Sequence, residues 1–382
     1  MTTKLSQRAA LAALLSTLAL NSAYADESKG GYLENIHKHS LLTSTAIANG
    51  DLNPYAVVVA PESSGKIQKG DVLIDNFNDI SNLQGTGTTI IDYNPTTKQT
   101  SLFAKIPKNL PQCPGGVGLT AAMTMLKSGW VIVGSTPSAD GTAKTKGQGC
   151  LIVLNNQGKV SHVVSAPTIN GPWGNMALID NGSSATLFVS NAGFGVTTYD
   201  NIDPASGMPA IANAATVLRL ELSIPDGKAP VIKSQTVVAD GIGTRGDKDA
   251  FLAGPTGLAL APDGKTLYVS DATHNRVLAI DNATTRNDSA GTGRVVVEGG
   301  LLKRPLAMAV TPQGHLLVNN ALNGQVVEID PIAGKTLYAQ WIDNDQAQSP
   351  PGNGDLFGLA MTPDGKGFYY VEDDMNTLML AE

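Results

Sequence analysis

One unit recurs along the chain, and a repeat of about fifty residues restricts the fold more than any other feature. Its clearest copy opens with Gly254-Pro255-Thr256-Gly257-Leu258-Ala259-Leu260 and ends in the turn Pro262-Asp263-Gly264. Residues 266–271 and 275–281 follow as two more β-rich runs. Apolar runs cut by tight turns predict an antiparallel meander. The same order returns over residues 304–330 and 357–380, and looser copies begin at Asn53, Thr120 and Gly171.

The last residue of each second strand serves as a ruler. These residues are Asn76, Ser135, Asn191, Asp271, Asn320 and Glu372, spaced by 59, 56, 80, 49 and 52. Six copies of a four-stranded unit predict an all-β, six-bladed β-propeller, with an insertion before the fourth copy. The last copy reaches Glu382 after three strands. Its outer strand is expected from residues 39–48, which would close the ring and remove an exposed edge. Stacked β-sandwiches leave the repeat unexplained. Composition agrees, with 41 Gly, 21 Pro and 15% charged residues in 382. A long helical protein would be richer in charge and poorer in turn residues. The 42% hydrophobic content supplies a core and excludes disorder.

The run Gly257-Leu258-Ala259 with Pro262-Asp263-Gly264, then residues 267–271, then Asn275-Arg276-Val277, resembles the NHL family of propellers. The fourth repeat matches best, the sixth well, the first three in outline. More distantly the repeat is similar to the gluconolactonase-like propellers. That resemblance implies a divalent metal held by Glu, Asn and Asp. Tyr268-Val269-Ser270-Asp271 matches the strand end that carries their Asp, whereas Pro255-Thr256-Gly257 has Thr where they have Asn. No Glu matches with confidence.

In a propeller the loops that enter the innermost strands meet at one mouth of the central channel. Tyr55, Thr120, Trp173, Thr256, Leu306 and Phe357 occupy that position. Tyr55, Trp173, Thr256 and Phe357 are the expected ligand contacts, because aromatic groups with a few polar ones are a usual pocket composition. Two long loops are expected beside the mouth, residues 193–213 and 241–253. Arg245 on the second is placed to clamp a carboxylate or phosphate; a solvated charged loop is the alternative. The ruler residues form a second, polar ring. Strand-end Asp and Asn often bond the next turn, and that is one reading of this ring. The other is an oxygen cluster for a hard cation such as Ca²⁺, built from Asn191, Asp271, Asn320 and Glu372. None of the five His lies on either ring.

Lys4 and Arg8, the apolar run 9–20 and Ala23-Tyr24-Ala25 form a signal-peptide pattern. Residues 1–25 are therefore expected to be removed, leaving a periplasmic or secreted propeller over 26–382. The apolar run is too short to span a bilayer, and no later stretch is suitable, so no membrane span is expected after cleavage. Loss of Lys4 and Arg8 takes the formal charge from −7 to −9. Without basic runs, nucleic acid is an unsuitable partner. Cys113 and Cys150 suggest one disulfide in an exported chain; a thiol pair or metal site is the alternative. The expected function is a ligand-binding or protein-interaction module working at the channel mouth. The alternative is a metal-dependent hydrolase or lyase of the lactonase-like kind.

Overall fold

The computed structural model describes residues 31–47, 50–193, 202–247 and 250–382. The expected signal peptide lies outside them. Strand β1 (His39–Ser44) comes first. The first blade holds β2 (Leu52–Val59), β3 (Val72–Asn78), β4 (Thr89–Asn94) and β5 (Gln99–Lys105). The second holds β6 (Leu119–Met125), β7 (Val131–Ser135), β8 (Cys150–Leu154) and β9 (Val160–Val164). The third has five strands: β10 (Ala177–Asp180), β11 (Ser184–Asn191), β12 (Ala212–Ser223), β13 (Val231–Asp247) and β14 (Phe251–Ala253). The fourth holds β15 (Pro255–Leu260), β16 (Leu267–Asp271), β17 (Arg276–Ile280) and β18 (Arg294–Glu298). The fifth holds β19 (Pro305–Val310), β20 (Leu316–Asn320), β21 (Gln325–Asp330) and β22 (Lys335–Trp341). The sixth holds β23 (Leu356–Met361), β24 (Phe368–Glu372) and β25 (Thr377–Ala381). This is an all-β six-bladed propeller.

Strand β1 pairs antiparallel with β25, from His39 opposite Ala381 to Ser44 opposite Thr377. The sixth sheet thus contains strands from both ends of the described chain.

Burial falls from the inner strands outward. Every residue of β6, Leu-Thr-Ala-Ala-Met-Thr-Met, is buried, whereas β22 at the outer edge is largely exposed or half-buried. A strand packed between two neighbouring sheets has no solvent face, so it reads as an apolar run instead of an alternation. Near the axis, backbones come too close for side chains. A Cβ on Gly257 would collide with the carbonyl oxygen of Leu306 in the next blade, and one on Gly358 with that of Tyr55. The repeated Gly-Leu-Ala is therefore a packing requirement of inner strands.

Cys113 and Cys150 are bonded to each other, and both are buried. The bridge ties the approach to β6 to the first residue of β8 in the second blade. The segment 241–253, expected as a charged loop, is instead the end of β13, a turn and β14, with Arg245 opposite Ala253 and Asp247 opposite Phe251. Burial explains it: residues 242–244, 246 and 247 are buried in the sheet, and Ala250 to Ala253 join the core. Of the segment 193–213, residues 194–201 lie outside the described residues; Ala212 already begins β12.

Candidate functional site

The expected mouth residues do meet at the axis, but as a seal. The ring of Tyr55 stacks on Phe357 at 3.9 Å between centroids and on Phe77 at 4.3 Å. Trp173 stands edge-on to Tyr55 at 6.0 Å and to Phe77 at 5.5 Å. Phe251 packs on Trp173 at 5.8 Å and on Phe77 at 5.4 Å. Offset-stacked and edge-on pairs at these separations are the favoured aromatic geometries. None of the five exposes more than 4% of its surface. Leu306 and alanines from the surrounding blades complete the cluster.

This corrects the expected ligand mouth. Tyr55, Trp173 and Phe357 present no free face, and Thr256, 2% exposed, donates its hydroxyl to the Gly254 carbonyl. Two members of the seal were missed, Phe77 and Phe251. Phe251 arrives on β14, at the end of the insertion before the fourth repeat. Its φ of 64° lies in the left-handed region, which costs of order 1–3 kcal/mol for a bulky residue. Burial of its ring in the seal offsets that cost.

Behind the seal, Asp247 and Arg304 form a buried ion pair at 2.7 Å, with 1% and 9% of their side chains exposed. The other Asp247 oxygen accepts the Ala250 amide at 3.0 Å. Arg245 is half-buried, and its Nε has no hydrogen-bond partner. Burial, with Arg304 nearby, lowers its pKa.

The ruler residues sit at strand ends as expected, but face their own loops. Asn191 accepts the Asn170 amide and donates to the Thr168 carbonyl and the Thr216 hydroxyl. Asn320 accepts the Lys303 amide at 2.9 Å and donates to the Leu301 carbonyl. Asp271 receives Thr273, the His274 amide and ring, and Arg276 Nε at 2.9 Å. Glu372 accepts the Thr377 hydroxyl. Asn191 and Asn320 thus bond the segments that lead into their blades and Asp271 the turn that follows it, so the structure does not bring the four together as one oxygen cluster. The axis is reached one residue later, where strand alternation reverses the face. Phe77, Ala192, Ala272 and Ala321 lie at that position and belong to the axial cluster.

The divalent metal implied by the gluconolactonase resemblance does not fit this mouth. Both Asp271 oxygens are taken by cationic or donor partners. Thr256 replaces the expected Asn and is buried, and the space is filled by rings. Other buried carboxyls surround the seal. Asp75, fully buried, accepts the Ala56 amide with one oxygen and leaves the other without a partner. Burial pushes it up to about 8.

Open concave surface lies off the axis. A cleft of about 700 Å³ lies where hairpins of the second and third blades adjoin. It is lined by Trp130, Asn155, Asn156, Ser183 and Asp226, among others. Trp130 is half-buried and packs on the core of these blades.

Residues 248–341, which span the fourth and fifth blades, match the family model described as the SMP-30/gluconolactonase/LRE-like region. This is the more distant of the two resemblances drawn from the repeat. No curated protein is matched by the sequence. Among solved structures, regucalcin from Agrobacterium tumefaciens, a calcium-binding protein, is similar with a TM-score of 0.56 and 13% identity, over 91% of this chain and 93% of that one. A gluconolactonase from Xanthomonas campestris gives 0.54 and 13%, over 90% and 88%. The PQQ-bound aldose sugar dehydrogenase from Streptomyces coelicolor gives 0.52 and 15%, over 90% and 97%. The fold is that of the gluconolactonase-like propellers. At these identities the likeness to solved structures is one of fold.

Proposed function

We propose that this chain is an exported propeller that binds a sugar or sugar lactone, in the cleft between the second and third blades. The observation that carries the reading is the composition of that cleft: one half-buried indole beside amides, a hydroxyl and a carboxylate. A sugar ring offers an apolar C–H face to an aromatic side chain and hydroxyls to Asn, Ser and Asp, which is how largely apolar sites fix a polar ligand. The sealed axis argues against binding at the mouth. The match over residues 248–341 supports a ligand of this class, as do the gluconolactonase and the sugar dehydrogenase among the similar folds. Export rests on the pattern Lys4, Arg8 and Ala23-Tyr24-Ala25.

A second reading, hydrolysis of a lactone, is favoured by the family match alone. One experiment addresses both. The mature protein is titrated with a panel of aldoses, sugar acids and sugar lactones, following Trp fluorescence, with acid release monitored in parallel. Saturable quenching that Trp130→Ala weakens at least tenfold supports the first reading, provided Trp341→Ala leaves it intact. Steady acid release from a lactone, dependent on added divalent cation, supports the second. No saturable change across the panel overturns both.

A further inference from the structure

The loop between β22 and β23 (residues 342–355) and the turn after β24 are rich in acid. Between Ile342 and Asn376 stand seven carboxylates, and the only basic residue is Lys366. Asp343, Asp355 and Asp374 each place one carboxylate oxygen within 4.8 Å of the others. Oxygens bound to one calcium ion at about 2.4 Å are at most about 4.8 Å apart. No basic side chain pairs with any of the three among the described residues.

A second observation points into the same place. Asp355 is 3% exposed, and its Oδ2 is buried with no hydrogen-bond partner. A carboxylate removed from water without a partner is among the costliest groups a protein can bury. The amide oxygen of Gln348 is also buried without a partner, while its Nε2 contacts Asp374 Oδ2 at 3.4 Å.

We infer that the acidic cluster beside the sixth blade is a calcium-class cation site formed by the carboxylates of Asp343, Asp355 and Asp374. All three donors are carboxylate oxygens and none is His or Cys, which selects a hard cation over zinc or copper. Several carboxylates on an irregular loop suit calcium better than magnesium, which keeps most of its water and demands a near-ideal octahedron. Asp374 is exposed and leaves the site open to solvent.

The site is distinct from the one that the gluconolactonase resemblance implied at Asp271. It sits where the ring closes. The Asp373 amide bonds the Asp355 carbonyl at 2.8 Å. Asn376 accepts the Thr45 amide at 2.8 Å through its carbonyl and the Asn53 amide at 2.7 Å through its side chain. A bound cation would therefore join the loop between the fifth and sixth blades to the turn that holds the N-terminal segment and the first blade.

The test uses the mature, chelator-treated protein without sugar, so its outcome is independent of the cleft. Calcium chloride is titrated calorimetrically, with magnesium chloride in parallel, and thermal unfolding is followed with and without calcium. One saturable calcium site per chain is expected, with magnesium at least tenfold weaker and a calcium-dependent rise in Tm of a few degrees. Asp374→Asn, at an exposed position, should weaken calcium at least tenfold. Asp355→Asn should remove the calcium-dependent rise yet raise the Tm of the calcium-free protein. No saturable calcium heat at millimolar calcium overturns the proposal, as does an Asp374→Asn variant that binds like the parent. If Asp355→Asn does not fold, Asp374→Asn alone decides.

Discussion

Tyr55 of the first blade and Phe357 of the sixth stack ring on ring at 3.9 Å, with 13° between their planes. The contact crosses the seam where the chain's last blade meets its first. It makes the axial seal a fastening of the ring as well as a stopper. Phe357→Ala should therefore cost about 3–5 kcal/mol, the usual loss for a buried Phe. Urea unfolding of parent and variant measures it. A loss under about 1 kcal/mol would mean that the seam holds without the stack.

The pair Asp247 and Arg304 joins the insertion hairpin to the start of the fifth blade. Removing one partner strands a buried charge, so Asp247→Asn or Arg304→Met should each destabilise by about 3–5 kcal/mol. Replacing both with apolar residues should recover much of the loss. A double-mutant cycle by denaturant unfolding separates the pair energy from its surroundings. Additive single losses would show that the two charges do not act together.

Asp75 gives a pH dependence with a definite sign. Its folded-state pKa, about 8, lies above the ordinary carboxylate value. The folded protein therefore keeps a proton that the unfolded chain has released. Its contribution is fully present below the unfolded pKa and is lost as pH rises through the folded one. In that window each pH unit removes up to about 1.4 kcal/mol. Asp75→Asn, which still accepts the Ala56 amide, should gain on the parent from pH 5 to pH 8. Unfolding free energies of both proteins at the two pH values decide it; a constant difference would contradict the assignment.

Reduction of the bridge between Cys113 and Cys150, which are 37 apart in sequence, should cost about 3–4 kcal/mol on the loop-entropy model. Thermal unfolding with and without reductant gives the value. Thiol titration of the denatured, unreduced protein should find no free sulfhydryl, and two would contradict the bridge.

The number of blades, the strand ends and both cysteines were legible in the chain because they follow local rules. A Pro-Asp-Gly turn, an apolar run and a small polar strand end each act within a few residues. The seal was not legible, since Phe77 and Phe251 are distant in sequence and meet only after the ring closes. Period-two alternation moved the axial position from the polar ruler residues to their neighbours, Phe77 and Ala192 among them. Charge also misled. Arg245 and Asp247 suggested a solvated loop, but the neutralising partner of Asp247 is Arg304, 57 positions away. The acidic centre is assembled from a loop and a turn on either side of β23 and β24. Of its neighbourhood only Glu372 stood out beforehand.

The hairpin of β13 and β14 brings Phe251 into the axial cluster, where it packs on Phe77 and Trp173. Small solutes cannot enter the axis past the packed rings of Tyr55, Phe77, Trp173, Phe251 and Phe357. A ligand in the cleft beside Trp130 and a cation beside Asp355 would influence one another through displacement of the blades, not through a common axial cavity. Shortening this one hairpin would withdraw Phe251 and leave the stack of Phe77, Tyr55 and Phe357 to fill the axis.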